Sequence, residues 1–225
     1  MAKQHGVPGE WARVRGTVLS LWPLFLAFTC LGGFAAAALL GRSAGLFGLL
    51  FAASLIAVAL LWRKGLRRVE SFFRGARGEE RVAGVVGGLP DGWHVFHDFV
   101  AGAHHVDHVV AGPAGVFAVE TKIWSRPVTV ADGRILAGGE LPTRDPLAQT
   151  QHEADAVKTA LRAAGWSGEV TPVLCFASDT WAGGTDCCGR VEVLNARELV
   201  GRLSGRPAAL PPDELERLVK LMETR

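Results

Sequence analysis

Three charged side chains, Asp107, Glu120 and Lys122, interrupt a largely apolar stretch between residues 105 and 123. The stretch is rich in β-branched residues and is divided by a Gly-Pro-Ala-Gly segment at 112–115, which predicts two strands joined by a tight turn. Because successive side chains of a strand point to opposite faces, Glu120 and Lys122 should share one face, roughly 7 Å apart along the chain.

A turn centred on residues 113 and 114 places Asp107 directly opposite Glu120 on the neighbouring strand. Side chains opposed in this way have Cβ atoms about 4.5–5.5 Å apart, so two carboxylates repel unless a proton or a cation lies between them. Such a pair beside Lys122 is the arrangement expected of a divalent-cation site that acts on phosphate. The alternative is that both acids face water and Lys122 forms a cross-strand ion pair, but charge within an apolar strand is costly unless a site uses it.

Four blocks of sequence around these residues occur in a distinctive order and spacing. They are Gly78-Glu79, Asp107 with the next three residues, residues 112–117 followed by Glu120-Thr121-Lys122, and Asp145 to Gln149. Together the blocks resemble the nuclease-related domain (NERD), a family of the restriction-endonuclease-like superfamily, over residues 75 to 195. The wider superfamily often has proline before the active aspartate, whereas this chain has Val106.

The resemblance implies a fold, a reaction and the residues that carry it. The fold is a restriction-endonuclease-like mixed sheet flanked by helices, and the reaction is metal-dependent hydrolysis of phosphodiester bonds. Asp107, Glu120 and the carbonyl of Thr121 would hold Mg²⁺ or Mn²⁺. Lys122 would position the attacking water or stabilise the transition state.

Two further residues, Glu79 and Gln149, are placed at the active site by the same resemblance. Glu79 would assist the metal or its water, and Gln149 would orient phosphate or water. From local sequence alone, Glu79 is a first-turn acid of a short helix that begins near Gly78, where it favours the helix dipole. Gln149 is likewise an exposed glutamine in the first turn of a helix that Asp145 caps. Both interpretations of each residue stay open.

The histidines and cysteines give little support to a zinc site. His104, His105 and His108 surround Asp107, but strand alternation places His104 and His108 on the face opposite to His105, so at most two could join one centre. The four cysteines show no CxxC spacing. The sequence also lacks a phosphate-binding GxxxxGK and a dinucleotide fingerprint, so no organic cofactor is expected.

Two long uncharged runs occupy the first third of the chain. Val18 to Leu40 contains 23 residues, about 34 Å as a helix, and Ala44 to Trp62 contains 19, against a membrane hydrocarbon core of about 30 Å. Only three residues separate the runs, which predicts a membrane hairpin. Lys and Arg flank both outer ends, so the positive-inside rule places both termini in the cytoplasm. The alternative for the first run is a cleaved signal peptide, which its length disfavours.

Charge is distributed unevenly along the chain. Residues 1–68 carry eight Lys and Arg against one acid, whereas the remainder carries 16 basic and 21 acidic residues. The basic segment Arg63–Arg77 has one apolar helical face and is expected to lie partly on anionic lipid. The negative balance of the remainder excludes a domain that holds duplex DNA tightly through its overall charge, so nucleic acid would need a local patch or bound cations.

The sequence therefore predicts a transmembrane α-helical hairpin at residues 1–68 and a cytoplasmic α/β nuclease-like domain at residues 69–225. The favoured function is hydrolysis of nucleic acid, DNA before RNA, by a membrane-anchored enzyme that uses Mg²⁺ or Mn²⁺. Two alternatives stay open. One is a binding module of the same fold that docks nucleic acid or a protein partner without turnover, and the other is a membrane scaffold whose hairpin forms a homo-oligomer.

Overall fold

The computed structural model describes residues 1–39, 44–181 and 186–224 and separates into two units. Residues 11–74 form the smaller unit, and residues 75–225 form the larger one together with residues 1–10. The observed division at residue 74 lies near the predicted boundary. The first ten residues, however, group with the α/β domain and not with the helices that follow them.

Two antiparallel helices make up the smaller unit, and the second of them extends beyond it. They are α1 (Glu10–Leu39) and α2 (Ala44–Val86). Near one end of the pair, Trp11 packs edge-on against Phe72, with ring centroids 6.3 Å apart, and near the other end Phe34 stacks on Phe51 at 5.3 Å. The predicted turn at 41–43 lies outside the described residues, as do the side chains of Lys64 and residues 66–68 in the basic segment.

Helix α1 is long and apolar enough to cross a membrane, and the described residues contain no other helix that meets this standard. Large apolar side chains on α1, such as Phe25 and Phe28, are exposed. The predicted first span is therefore present as an apolar helix. In α2 the apolar segment Gly48–Leu60 is shorter than a span, so the second crossing stays a prediction.

Helix α2 is longer than the sequence predicts. The expectation of a separate short helix beginning near Gly78 is wrong, because α2 continues without a break from Ala44 to Val86. No proline interrupts residues 44–86, and glycine costs only about 1 kcal/mol in a helix interior. Glu79 therefore lies near the C-terminal end of a helix, where the helix dipole does not favour a carboxylate.

A mixed sheet forms the centre of the larger unit. In chain order its strands and the strands of a separate hairpin are β1 (Lys3–His5), β2 (His94–Ala101), β3 (His104–Gly112), β4 (Gly115–Lys122), β5 (Val128–Ala131), β6 (Arg134–Ala137), β7 (Val170–Phe176), β8 (Asp186–Cys188) and β9 (Val191–Asn195). The seven-stranded sheet has the order β1-β2-β3-β4-β7-β9-β8, and β5 and β6 form the hairpin. β2, β3 and β4 are antiparallel neighbours, whereas β4, β7 and β9 run parallel.

Helices cover both faces of this sheet. They are α3 (Pro146–Ala163), α4 (Ala196–Ser204), α5 (Pro212–Glu223) and the last turns of α2. On one face α3 and α5 pack against a core that includes Ala118, and on the other face α2 and α4 pack against a core that includes Val119. These two neighbours on β4 face opposite cores, so the strand is buried on both sides. This is the helix-flanked mixed α/β architecture that the sequence predicts.

Strand β1 has no counterpart in the sequence prediction. Lys3–His5 pairs in parallel with β2, and the backbone N–H of Lys3 donates to the carbonyl of Trp93 at 2.9 Å. Three residues are too few to show a periodic pattern, and their partner lies about 90 residues further along the chain. The pairing explains why the residues before α1 belong to the α/β domain.

The regular pleat of β2 and β3 is interrupted at one position. Their pairing skips the place shared by Asp98 and Asp107, and Asp98 has a left-handed φ of 49°. Val106 and Val109, three residues apart, both face the core under α3, so the alternation of side chains is shifted by one between them. A strand irregularity of this kind redirects a side chain, and here the redirected side chain is that of Asp107.

Candidate active site

The β3–β4 hairpin has the register that the sequence predicts. Its paired residues run from Gly112↔Gly115 at the turn to His108↔Val119. The next position in this register holds Asp107 and Glu120, and there the backbone pairing of the two strands ends. The two acids therefore stand opposite one another at the end of the ladder.

The carboxylate of Asp107 takes the place of a backbone acceptor at this position. Its Oδ2 accepts a hydrogen bond from the backbone N–H of Thr121 at 2.8 Å, which puts the carboxylate between the two strands. Burial raises the pKa of Asp107 well above its ordinary value, and the charges of Glu120 and Glu79 raise it further. The charge of Lys122 and the hydrogen bond from Thr121 lower the pKa of Asp107, but by less than burial and the two acids raise it.

Glu120, Lys122 and Gln149 form one hydrogen-bonded group. Glu120 is only 4% exposed, and its Oε1 accepts from the amine of Lys122 and from Nε2 of Gln149, the latter at 2.8 Å. Oε1 of Gln149 accepts from the same amine at 2.9 Å. Glu120 and Lys122 thus share a strand face, as predicted, and α3 brings Gln149 to that face.

The start of helix α3 determines where Gln149 points. Asp145 caps the helix, because its Oδ1 accepts from the backbone N–H of Leu147 at 2.9 Å and of Ala148 at 3.4 Å. Pro146 is the first helical residue, a position where its missing N–H costs nothing. Gln149 then lies in the first turn, half-buried and facing β4. The interpretation of Gln149 as an exposed helix residue is therefore wrong.

Lys122 keeps its positive charge in this partly buried position. Burial lowers its pKa, but the charge and hydrogen bond of Glu120, followed by the charges of Asp107 and Glu153, outweigh burial and hold the pKa above its ordinary value. A protonated amine donates hydrogen bonds and attracts anions, and it does not take a proton from water. Lys122 therefore offers electrostatic stabilisation and positioning rather than general-base catalysis.

Glu153, one turn after Gln149 on α3, is a member of the group that the sequence analysis missed. It is 7% exposed, and its Oε1 accepts from Nε2 of Gln149 at 2.8 Å. Burial raises the pKa of Glu153 to about 9, and the charge of Glu120 is the next cause. The sequence signal that could have identified Glu153 is its i, i+4 spacing from Gln149, because this spacing places both side chains on one helix face.

Glu79 approaches the same place from α2, on the other face of the sheet. It is 8% exposed, and its charge contributes to the raised pKa of Asp107. Gly78 permits the approach, because a Cβ there would lie 3.2 Å from Cβ of Ile123 and 3.5 Å from Cγ2 of Thr121. The helix-dipole interpretation of Glu79 is wrong, since the residue is not in a first turn, and its influence on Asp107 agrees with a place near the site.

The histidines do not form a metal centre with these residues. His104 and His105 are exposed, whereas His108 is fully buried. Nδ1 of His108 lies 2.8 Å from Nδ1 of His97, and Nε2 of His97 lies 3.1 Å from Oε1 of Gln4. Burial, and then the charge of His97, lowers the pKa of His108 to about 3, so the ring is neutral. Within the part of the chain that is described, no three His, Cys, Asp or Glu side chains converge on a common metal position.

The chemistry of the donors nevertheless fits a hard divalent cation. Four buried or partly buried carboxylates interact in pairs at this end of β4, Asp107 with Glu79 and with Glu120, and Glu120 with Glu153. The pKa values of Asp107 and Glu153 are raised by burial and by these neighbours, which a cation would relieve. Carboxylate and carbonyl oxygens suit Mg²⁺ and Mn²⁺, and Mg²⁺ usually binds through one or two carboxylates and keeps several waters.

A cavity of about 430 Å³ opens beside Gln149 and Glu153. Its other lining residues are His104, Arg144, Asp145, Ala148 and His152. The cavity gives solvent and small ions an approach to the carboxylates from the side of α3. Arg144 adds a permanently charged donor to its wall, of the type that binds phosphate.

Residues 74–177 match the model of the family described as NERD, nuclease-related domain. The matched segment runs from the last turns of α2 through β7 and contains all six residues that the sequence blocks place at the site. No curated protein and no solved structure matches the chain. The resemblance drawn from the four sequence blocks is therefore supported over this segment, together with the nuclease-like α/β fold.

Proposed function

Since residues 74–177 match a nuclease-related domain, we propose that this protein is a membrane-anchored, metal-dependent nuclease that hydrolyses phosphodiester bonds in nucleic acid. One observation carries the proposal, the hydrogen-bonded group of Glu120, Lys122 and Gln149 beside Asp107. A protonated amine and several carboxylates meet there, inside the matched segment and next to a cavity.

The residues that would hold Mg²⁺ or Mn²⁺ are Asp107, Glu120 and the carbonyl of Thr121. A bound ion of this kind supplies a water of lowered pKa and neutralises charge that develops on a phosphate. The N–H of Thr121 holds the carboxylate of Asp107 in a fixed orientation. Glu79, whose charge reaches Asp107 from the other face of the sheet, is suited to orient a water near it.

Lys122 and Gln149 would act on the phosphate and the attacking water. Because the pKa of Lys122 lies above its ordinary value, the amine stays protonated at neutral pH and donates hydrogen bonds to developing negative charge. Gln149 contacts the amine through Oε1 and Glu120 through Nε2, so it holds both groups in one arrangement. Such positioning lowers the entropic part of the barrier to reaction.

The membrane part of the proposal rests on α1 and on β1. Because β1 pairs with β2, the residues before α1 and those after residue 74 belong to one folded unit and must lie on the same side of a membrane. A chain that leaves this side through α1 has to return, which supports a second crossing by the first half of α2. The Lys and Arg flanks then favour the cytoplasm for both termini, with Arg63–Arg77 near anionic lipid.

A binding module of the same fold is the second candidate, and the charge balance favours a protein over nucleic acid as its partner. Residues 69–225 carry 16 basic and 21 acidic residues, and the amine of Lys122 is engaged by Glu120 and Gln149. Such a module would dock a protein partner or nucleic acid at the membrane without turnover, and a homo-oligomer formed through the helices would present several copies.

An activity assay on the full-length protein in detergent separates the two candidates. Single-stranded, duplex and branched DNA, and RNA, are each incubated with the protein in Mg²⁺, in Mn²⁺ and in EDTA. The nuclease proposal expects at least one substrate to be cut with a divalent ion and to stay intact in EDTA. Binding of a substrate without cleavage in any of these conditions would favour the binding module.

A further inference from the structure

Glu153 is a buried acid on the α3 side of the site, outside the set of residues that the proposed reaction requires. Nε2 of Gln149 donates to Oε1 of Glu153 and to Oε1 of Glu120, at 2.8 Å in both cases. One amide group therefore ties two carboxylates together, and the carboxyl group of Glu153 lies against that of Glu120.

The second oxygen of Glu153 needs a partner. Oε2 is buried, in a residue that is 7% exposed, and it has no hydrogen-bond partner among the described residues. The nearby amine of Lys122 donates to Glu120 and Gln149 instead. Two carboxylates in contact require a proton or a cation between them, and burial sharpens the requirement because water does not screen the charges.

We propose that Glu120 and Glu153 form a second divalent-cation site, on the α3 side of the position where Asp107 and Glu120 would hold the first ion. The inference rests on the proposed function, because Glu120 would bridge both ions. Two carboxylates and water suit Mg²⁺ or Mn²⁺. The cavity of about 430 Å³, which Glu153 lines, gives the ion its entry path.

The charge of the site supports two ions. Glu79, Asp107, Glu120 and Glu153 carry four negative charges when all are ionised, and Lys122 carries one positive charge. One divalent ion leaves a net charge of one negative, which would repel a phosphodiester. Two divalent ions leave one positive charge, which complements the single negative charge of a phosphodiester group.

The test counts Mn²⁺ ions bound to the full-length protein in detergent, without nucleic acid, from the electron paramagnetic resonance signal of free Mn²⁺. Wild-type protein should bind two ions, and Glu153→Gln should bind one, because glutamine keeps the hydrogen bond from Gln149 but lacks the charge. Glu169→Gln, at an exposed acid paired with Lys158, is the matched control and should bind two. Glu153→Asp, which withdraws the carboxylate by one methylene, should weaken the second ion about tenfold or more.

The number of bound ions distinguishes failure of the second cation site from failure of the nuclease proposal. A wild-type protein that binds one ion or none, or a Glu153→Gln variant that binds as many ions as wild type with equal affinity, overturns the second site. Two ions bound without cleavage of any substrate would keep the second site and overturn the nuclease. One ion bound together with normal metal-dependent cleavage would overturn the second site and keep the nuclease.

Discussion

The carboxylate of Asp107 accepts the backbone N–H of Thr121 at the position where β3 and β4 stop pairing. A side-chain acceptor there replaces a backbone one and holds the acid between the strands. Glu79 reaches it from α2 on one face of the sheet, and Glu120 contacts α3 on the other. The end of β4 is thus the place where both helical layers contribute to one site.

Lys122 is predicted to be essential for turnover and dispensable for metal binding. Lys122→Ala should lower the cleavage rate by about 100-fold or more, because a protonated donor to developing negative charge is lost. The measurement pairs cleavage rates with Mn²⁺ binding, which should change little. Lys158→Ala, at a lysine on α3 that pairs with Glu169, is the control. A Lys122→Ala variant that cleaves at the wild-type rate would contradict the assigned role.

Gln149 is predicted to matter less than Lys122. Gln149→Ala should lower the cleavage rate about tenfold, because it releases the amine of Lys122 and the carboxylate of Glu120 without removing either group. Gln151→Ala, two positions further on the same helix, should behave as wild type. If Gln149→Ala loses as much activity as Lys122→Ala, Gln149 does more than position its neighbours.

Glu153 is predicted to make the ion-free protein less stable as pH rises. The pKa of Glu153 is about 9 in the folded protein and about 4.5 ordinarily, so between these pH values the folded chain holds a proton that the unfolded chain has lost. This difference costs stability progressively as pH increases from 4.5 to 9.

Glu153→Gln removes the titrating group and should raise the thermal midpoint at pH 8 by about 3–6 °C in EDTA. The gain should shrink toward zero near pH 4, where the acid is mostly protonated in both the folded and the unfolded chain. Thermal unfolding followed by circular dichroism at both pH values checks this, with Glu169→Gln as the exposed-site control. An unchanged or lowered midpoint at pH 8 would count against a buried, protonated Glu153.

Topology gives a prediction independent of chemistry. Because β1 pairs with β2, a reporter fused before Met1 and a reporter fused after Arg225 should lie on the same side of the membrane, and the Lys and Arg flanks place both in the cytoplasm. Compartment-sensitive reporters at each end read this out. Reporters on opposite sides, or a C-terminal reporter outside the cytoplasm, would overturn the proposed anchor.

The parts of the site that the sequence could predict are those fixed by local rules. A tight turn sets the register of β3 and β4, so the position of Asp107 opposite Glu120 follows from counting residues back from the turn. Strand alternation likewise puts Glu120 and Lys122 on one face. The cap formed by Asp145 predicts the start of α3 and hence a first-turn place for Gln149.

The parts that were missed depend on contacts between distant segments. The three residues of β1 acquire a strand conformation only by pairing with β2. Glu153 looks like an ordinary helix acid until packing of α3 against β4 brings it to Glu120. The sequence divides α2 because a new helix is expected to begin near Gly78, whereas Gly78 is needed where the continuous α2 passes close to Thr121 and Ile123.

The central claim, that the end of β4 is a metal-dependent nuclease site, is tested most directly by the single-turnover cleavage rate as a function of Mg²⁺ concentration. Wild-type protein is compared with Asp107→Asn, which removes a metal ligand while keeping the shape of the side chain. Asp98→Asn, at the same strand irregularity and tolerant of the left-handed φ, is the matched control. The account predicts rates that saturate with Mg²⁺ for wild type and Asp98→Asn, and a rate about 100-fold lower or at background for Asp107→Asn at every Mg²⁺ concentration. Equal rates for Asp107→Asn and wild type, or wild-type cleavage that persists in EDTA, would contradict it.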